Sequence, residues 1–232
     1  MKWIKDFQLF LFDFDGLLVN TEPVHLQAYI NICAKRGFKL DWDFQRYAQA
    51  AHTGGDALKE AIYQEFPALY EKEPRWEVLY EEKAAEYIDL IRRSPVDMMS
   101  GAQKLLEALE KANIRRCVVT NSTKQQTDLI RAKIPVLDTI PYWITREDYL
   151  NKKPHPECYL RAIQLYGEKG DRIIGFEDTL KGLNALQGCP LQAVLICPSH
   201  HPQLSAVLSS EVLHFESFNQ IPTEKITGVL EL

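Results

Sequence analysis

The sequence predicts an α/β chain in which a doubly wound, Rossmann-like parallel sheet carries an inserted α-helical domain. Three observations predict it. Short apolar runs of strand length alternate with helix-period segments through the second half of the chain. An isolated apolar run that ends in two aspartates stands near the N-terminus. Between the two lies a segment with helical periodicity and no convincing strand, too long for a simple crossover.

The first element is the run Phe7 to Phe12, in the stretch LFLFDFDGLLVN at residues 9–20, closed by Asp13 and followed by Asp15 and Gly16. A run that is apolar at every position suits a strand buried on both faces. Residues 20–93 read as the insertion, leaving 1–19 and 94–232 for the sheet domain. In the insertion Leu26, Tyr29, Ile30 and Cys33 mark one helix stopped at Gly37, and Leu58, Ala61, Ile62 and Phe66 mark a second. Trp76, Leu79, Tyr80, Tyr87 and Ile91 mark a third. Stripes at this spacing normally face a core, so their aromatic residues read as packing rather than as a ligand box. The chain returns near Ser94 and Pro95, and Ala102, Leu105, Leu106 and Leu109 then mark a helix with Asn113 at its left-handed stop. The later strands are read in IRRCVVT (114–120), IPYWIT (140–145), DRIIGFE (171–177) and LQAVLIC (191–197). No internal repeat or low-complexity tract interrupts this order.

Composition narrows the function. The 232 residues are 46% hydrophobic and 25% charged with a formal net charge of -5, a balance that builds a large core and gives no electrostatic footprint for nucleic acid or an anionic membrane. No segment reaches the ~18 apolar residues of a membrane span, and the opening MKWIKDFQLFLF runs into Asp13 without a small-residue cleavage site. Cys33, Cys117, Cys158, Cys189 and Cys197 are odd in number, with no CxxC pair and no zinc spacing, which fits a reducing cytoplasm.

The chemistry collects at strand ends. Asp13 and Asp15 end the first strand, Thr120, Asn121 and Ser122 the second, Lys152 and Lys153 follow the third, and Glu177 and Asp178 end the fourth. Parallel strands bring such residues to one edge. Each motif has a local alternative: turn-forming aspartates, an N-cap in TNS, a solvated surface lysine, carboxylates capping the helix near Thr179. Their ordered occurrence at successive strand ends favours a site. Two like charges held together make each other's ionisation harder. A hard cation such as Mg²⁺ removes the conflict by taking their oxygens as ligands, while hydroxyl and lysine groups face an anion.

With these residues in view, DFDGLLVNTEPVH, VVTNS, KPHPE and FEDTLKG resemble, in order, the motifs of the haloacid dehalogenase-like superfamily of aspartyl phosphotransferases, in its β-phosphoglucomutase-like branch with a helical cap after the first motif. The resemblance implies that Asp13 is the nucleophile and Asp15 the general acid and base. It implies that Thr120, the amide of Asn121 and Lys153 hold the phosphate. By the same resemblance Asp13, Asp178 and the backbone carbonyl of Asp15 bind Mg²⁺, with Glu177 supporting them. Asn20 stands where family members often carry aspartate, and Gly54 where the mutases of this branch have an arginine that approaches a phosphate. Asn20, His25, His52 and Thr53 are the candidates for substrate contact from the cap side, although both histidines also read as packing or surface groups. Asp15 argues against a dehalogenase or a phosphonate-cleaving relative.

The expectation is a Mg²⁺-dependent phosphatase acting on a small phosphorylated metabolite, with sugar phosphates leading. A hexose-phosphate mutase and a non-hydrolysing ligand-sensing module are the alternatives. Nucleic acid and membrane are not expected as partners, and a monomer or weak homo-oligomer is the expected assembly.

Overall fold

Leu9–Phe12 (β1) is buried at every position and pairs in parallel on both sides, with Arg115–Val119 (β2) and with Ile173–Glu177 (β4). In the computed structural model, which describes residues 1–52, 56–201, 204, 212–224 and 226, the sheet continues through Tyr142–Ile144 (β3), Gln192–Ile196 (β5) and Leu213–Phe215 (β6). Its order is β3-β2-β1-β4-β5-β6, and every described pairing is parallel. From β1 the sheet therefore grows one way through β2 and β3 and the other way through β4 to β6. The reversal falls between β1 and β4, at whose carboxyl ends sheets of this kind bind ligands.

The apolar run of β1 serves two faces. Leu9 and Leu11 join Cys117 and Val119 in a cluster closed by Cys158, Tyr159 and Ala162 of helix Glu157–Tyr166 and by Ala185 and Leu186 of helix Leu180–Gln187. Phe10 and Phe12 point the other way, as strand alternation requires, and stack with Phe176 at centroid distances of 6.2 and 5.3 Å. Trp3, in a 3-10 turn over Trp3–Asp6, and Phe218 complete this aromatic face. The strand is shorter than the expected run because Phe7 belongs to the link between that turn and β1.

The chain divides into two compact units, Met1–Asn20 with Val96–Leu232, and Thr21–Pro95. In the first, the departing and returning segments lie side by side: Val19 bridges Met98, the Asn20 amide donates to Asp97 O at 2.8 Å, and the Met99 amide donates to Leu18 O at 2.9 Å. The second unit holds helices α1 (Glu22–Lys35), α2 (Phe44–His52), α3 (Ala57–Glu65), α4 (Pro67–Lys72) and α5 (Trp76–Arg93). Tyr29, Ile32, Cys33, Tyr47, Ile62, Leu69 and Leu79 form its core with Leu40 and Trp42. Ion pairs Arg36–Glu82 and Lys35–Glu86 tie α1 to α5.

Three helices were expected in this unit; α2 and α4 are additional. The buried side of α2 is Tyr47, Ala48 and His52, too small and polar to stand out as an apolar stripe, and α4 has only six residues. Tyr80, read as part of the buried stripe of α5, is instead 48% exposed. Strand β6 also escaped the sequence, since Leu213, His214 and Phe215 are all half-buried at the sheet edge and carry no continuous apolar run.

In the sheet unit the remaining helices are α6 (Ala102–Lys111), α7 (Lys124–Arg131), α8 (Glu157–Tyr166) and α9 (Leu180–Gln187). Helix α7 is capped by Thr123, which forms a capping box with Gln126, and α9 by Thr179, whose hydroxyl accepts from the Gly182 amide at 3.2 Å. Glu177 and Asp178 are thus not the caps of α9, and the N-cap of α7 is one residue beyond TNS. Among the described residues no helix is long and apolar enough to cross a membrane.

Phe10 is fully buried between Trp3, Phe7, Phe12 and Phe176. Phe10→Ala is expected to cost about 3–5 kcal/mol of stability in urea unfolding. A loss below about 1 kcal/mol would show that this face does not pack as described.

Candidate active site

Asp13 follows β1 directly, and its amide donates to Phe176 O at 3.0 Å, extending the ladder to β4 by one residue. This sets its side chain beside Glu177, the last residue of β4, and Asp178. One carboxylate oxygen from each of Asp13, Glu177 and Asp178 falls within 4.8 Å of the others, and all three residues are buried.

Lys153, from the loop after β3, meets them. It is 6% exposed, so the surface reading of this lysine does not hold. Its ammonium lies 2.5 Å from Asp13 Oδ1, 2.7 Å from Glu177 Oε1, 2.7 Å from Val119 O and 3.0 Å from the Tyr159 hydroxyl. Three N–H groups thus serve four oxygens. Tyr159 in turn donates to Glu177 Oε1 at 2.5 Å.

Burial pushes the Asp13 carboxyl up to about 8, the negative charge of Glu177 acts in the same direction, and Lys153 opposes them. Burial alone would lower the Lys153 ammonium, but Asp13 and Glu177 raise it above its ordinary value and keep it charged. One buried cation therefore faces three buried carboxylates, a deficit of positive charge that a divalent cation would fill. The donor set fits: all its atoms are carboxylate oxygens, with neither thiolate nor imidazole in the cluster, as a hard cation prefers.

Asp15 lies two residues on, before Gly16, whose φ of +79° is a left-handed conformation that glycine takes without strain. Its Oδ2 accepts from the Ser122 hydroxyl at 2.6 Å and lies 3.4 Å from Thr120 Oγ1. Thr120 Oγ1 also accepts from the Ser122 amide at 2.9 Å. Tyr149 fixes the same loop, its hydroxyl oxygen being 2.8 Å from Thr120 O and 2.7 Å from Asn121 Oδ1. Asn121 Oδ1 also lies 3.4 Å from the Lys153 amide.

The sheet unit thus brings together Asp13, Asp15, Thr120, Asn121, Lys153, Glu177 and Asp178. The cap-side candidates divide differently. Asn20 belongs to the sheet unit and is exposed, whereas His25 and His52 belong to the helical unit. His25 stacks on Tyr87 at 4.1 Å, and its Nδ1 is 2.5 Å from Lys83 Nζ. His52 is buried and its Nε2 lies 3.0 Å from Glu22 Oε2. Thr53, Gly54 and Gly55 lie outside the described residues.

Sequence reasoning missed Tyr149, Tyr159 and the bond from Ser122 to Asp15. Ser122 stood in the quoted motif, yet TNS was equally an N-cap signal. Tyr159 sits between Cys158 and Ala162 in a stripe that reads as core packing, and Tyr149 carries no motif. In the helical unit Lys83 and Glu22 went unremarked, although a lysine as buried as Lys83 is unusual.

A parallel α/β sheet with an acidic cluster and a buried lysine at its strand-order reversal can hold a divalent cation beside an anion, and comparison with known proteins gives the class, that of hydrolases. The model of the haloacid dehalogenase-like hydrolase family matches residues 7–189, and the chain belongs to that family. It is similar to hexitol phosphatase A of Escherichia coli (strain K12), 30% identical over 226 residues that cover 93% of this chain and 94% of the relative. It is also similar to protein CbbY of Rhodobacter capsulatus, 27% identical over 188 residues covering 80% and 83% of the two chains. Among solved structures, CbbY from Rhodobacter sphaeroides in complex with phosphate has a TM-score of 0.72 at 21% identity, covering 93% of this chain and 96% of its own.

A pH dependence follows from Asp13. With a folded value near 8 and an unfolded value of about 3.9, this group makes the metal-free protein less stable as pH rises from about 4 to about 8. A cation held at the cluster would displace the Asp13 proton, so a rise in melting temperature on adding Mg²⁺ is expected to be larger at about pH 8 than at about pH 6. Scanning fluorimetry with and without Mg²⁺ checks this; an equal or smaller rise at the higher pH would contradict it.

Proposed function

We propose that the chain is a Mg²⁺-dependent phosphatase that moves the phosphoryl group of a small sugar or polyol phosphate first to Asp13 and then to water. The observation that carries this reading is the state of Asp13, a buried carboxylate with Oδ1 held by Lys153 and with Asp178 and Glu177 beside it. Asp13 attacks phosphorus, and the bond to the leaving oxygen breaks as Asp15 donates a proton to that oxygen. Asp15 then takes a proton from water, whose oxygen attacks phospho-Asp13. Phosphate leaves, Asp13 is restored and Asp15 is protonated again. The hydroxyl of Ser122, bonded to Asp15, favours one orientation of that carboxyl group for both transfers. Thr120, the Asn121 amide and Lys153 bind and orient the phosphate.

Asp13, Asp178 and the Asp15 carbonyl would hold Mg²⁺, with Glu177 supporting them. Bound there, the ion supplies positive charge against the transferring oxygens. Preference for a sugar or polyol phosphate draws on the full-length similarity to hexitol phosphatase A. We also infer a cytoplasmic protein, in keeping with free thiols at all five cysteines.

Hydrolysis is favoured over transfer within a substrate because Gly54 stands where a mutase of this branch has arginine, and a mutase needs a cationic grip on the phosphate that is not reacting. A panel of phosphorylated sugars and polyols, scored for phosphate release with and without Mg²⁺, tests the reading directly. Release should require Mg²⁺ and stop with chelator; full activity after exhaustive chelation would refute the metal dependence. Asp13→Asn is expected to abolish release in a folded protein, and Asp15→Asn to slow it by about 10²- to 10⁴-fold. Substantial turnover by Asp13→Asn would remove it from the nucleophile role. With a hexose 1-phosphate and a bisphosphate primer, phosphorus NMR should show free phosphate or no reaction. Rapid conversion to the 6-phosphate would establish the mutase instead.

A further inference from the structure

We propose that Tyr159 is a positioning residue whose hydroxyl, acting with the space left by Gly182, fixes the Glu177 carboxylate and so keeps the acidic cluster ready for a divalent cation. Tyr159 stands in the first turn of α8, its ring wholly buried in the apolar cluster beneath the sheet. Its hydroxyl reaches the site, and the Lys153 ammonium lies 4.8 Å over its ring.

The direction of its hydrogen bonds follows from valence. An ammonium has no lone pair, so the Tyr159 hydroxyl cannot donate to Lys153 and can only accept from it at 3.0 Å. Its single proton goes to Glu177 Oε1 at 2.5 Å. Oε1 thus receives two donors, Tyr159 and Lys153, the latter at 2.7 Å. The whole group also lies against Gly182: a Cβ at residue 182 would lie 1.9 Å from Glu177 Oε2 and 2.3 Å from Oε1, so the carboxylate fills the space that glycine leaves in the first turn of α9. Pinned at Oε1 and seated against Gly182, the group is held in one orientation.

Tyr159 takes one Lys153 proton and gives its own to Glu177 Oε1, so that oxygen is fixed by two donors while Lys153 keeps its 2.5 Å bond to Asp13 Oδ1. Without the hydroxyl, Glu177 Oε1 is left with Lys153 as its one donor among the described residues, and the carboxylate adopts other orientations in the cluster.

The test is calorimetric titration of the full chain with Mg²⁺ in the absence of substrate, comparing wild type, Tyr159→Phe and Tyr166→Phe. Tyr166 lies on the same helix, stacked on Tyr142, and serves as the control for loss of a hydroxyl. Tyr159→Phe should bind Mg²⁺ about tenfold more weakly, as loss of a partner behind a metal ligand commonly does. Tyr166→Phe should keep wild-type affinity. Turnover, which rests on the phosphatase reading, should show kcat lowered about tenfold at saturating Mg²⁺ with KM unchanged, because Tyr159 acts through Glu177 and Lys153.

Should Tyr159→Phe fail to fold, Gly182→Ala displaces the same carboxylate directly and is expected to give the same loss. Wild-type Mg²⁺ affinity in a folded Tyr159→Phe or Gly182→Ala protein overturns the proposal, as does a wild type that does not bind Mg²⁺. If the wild type binds Mg²⁺ yet releases phosphate from no ester, the phosphatase reading fails while the titration still decides the role of Tyr159.

Discussion

The sheet unit is organised around one ammonium group. Lys153 sits among Asp13, Glu177, the Val119 carbonyl and the Tyr159 hydroxyl, and it reaches Asp13 across 140 residues of sequence. Taking charged carboxylates out of water costs several kcal/mol each unless a partner of opposite charge is well placed. Lys153 is that partner for two of them at once. Its position demands that the loop after β3 fold back over the end of β2, that β2 lie beside β1, and that β1 lie beside β4 in the observed register. A slip by one residue on β1 or β4 would turn the side chains of that strand to the opposite face and break the set.

The two faces of the sheet divide the labour. The aromatic face of Trp3, Phe10, Phe12, Phe176 and Phe218 contributes packing alone. On the other face the cluster of Leu9, Leu11, Cys117, Cys158 and Tyr159 is also a packed core, but its upper edge turns polar at Tyr159. Tertiary packing of α8 is thereby converted into the orientation of a charged group. The Asp15 side of the site is built differently, from hydroxyls of the loop after β2, and that loop is itself fixed by Tyr149. Asp13 is held by charge in a dry environment, and Asp15, half-buried, by neutral hydrogen bonds.

Much of this was legible along the chain. An unbroken apolar run ending at Asp13 suits a strand covered on both sides, and strand-helix alternation with acids, hydroxyls and a lysine at successive strand ends already implies one functional edge. Helix stops at Gly37 and Asn113, with φ of +84° and +52°, were written in residues that tolerate left-handed backbone. The family follows from the same motifs. Less legible were elements whose identity lies in what they touch: α2 with its small buried alanine, the short α4, and β6, whose half-buried residues follow no clear pattern.

The sequence by itself determined the alternation of the principal strands and helices and the residue types at the strand ends, because periodicity and local backbone preference are properties of neighbours. Only the tertiary structure decided which oxygen Lys153 meets, that Ser122 turns to Asp15 rather than capping a helix, and that Tyr159 and Gly182 confine Glu177. Those arrangements depend on distances between atoms far apart in the chain, where a few tenths of an ångström separate a charge-assisted hydrogen bond from an unsatisfied buried charge. A one-dimensional pattern carries no record of them.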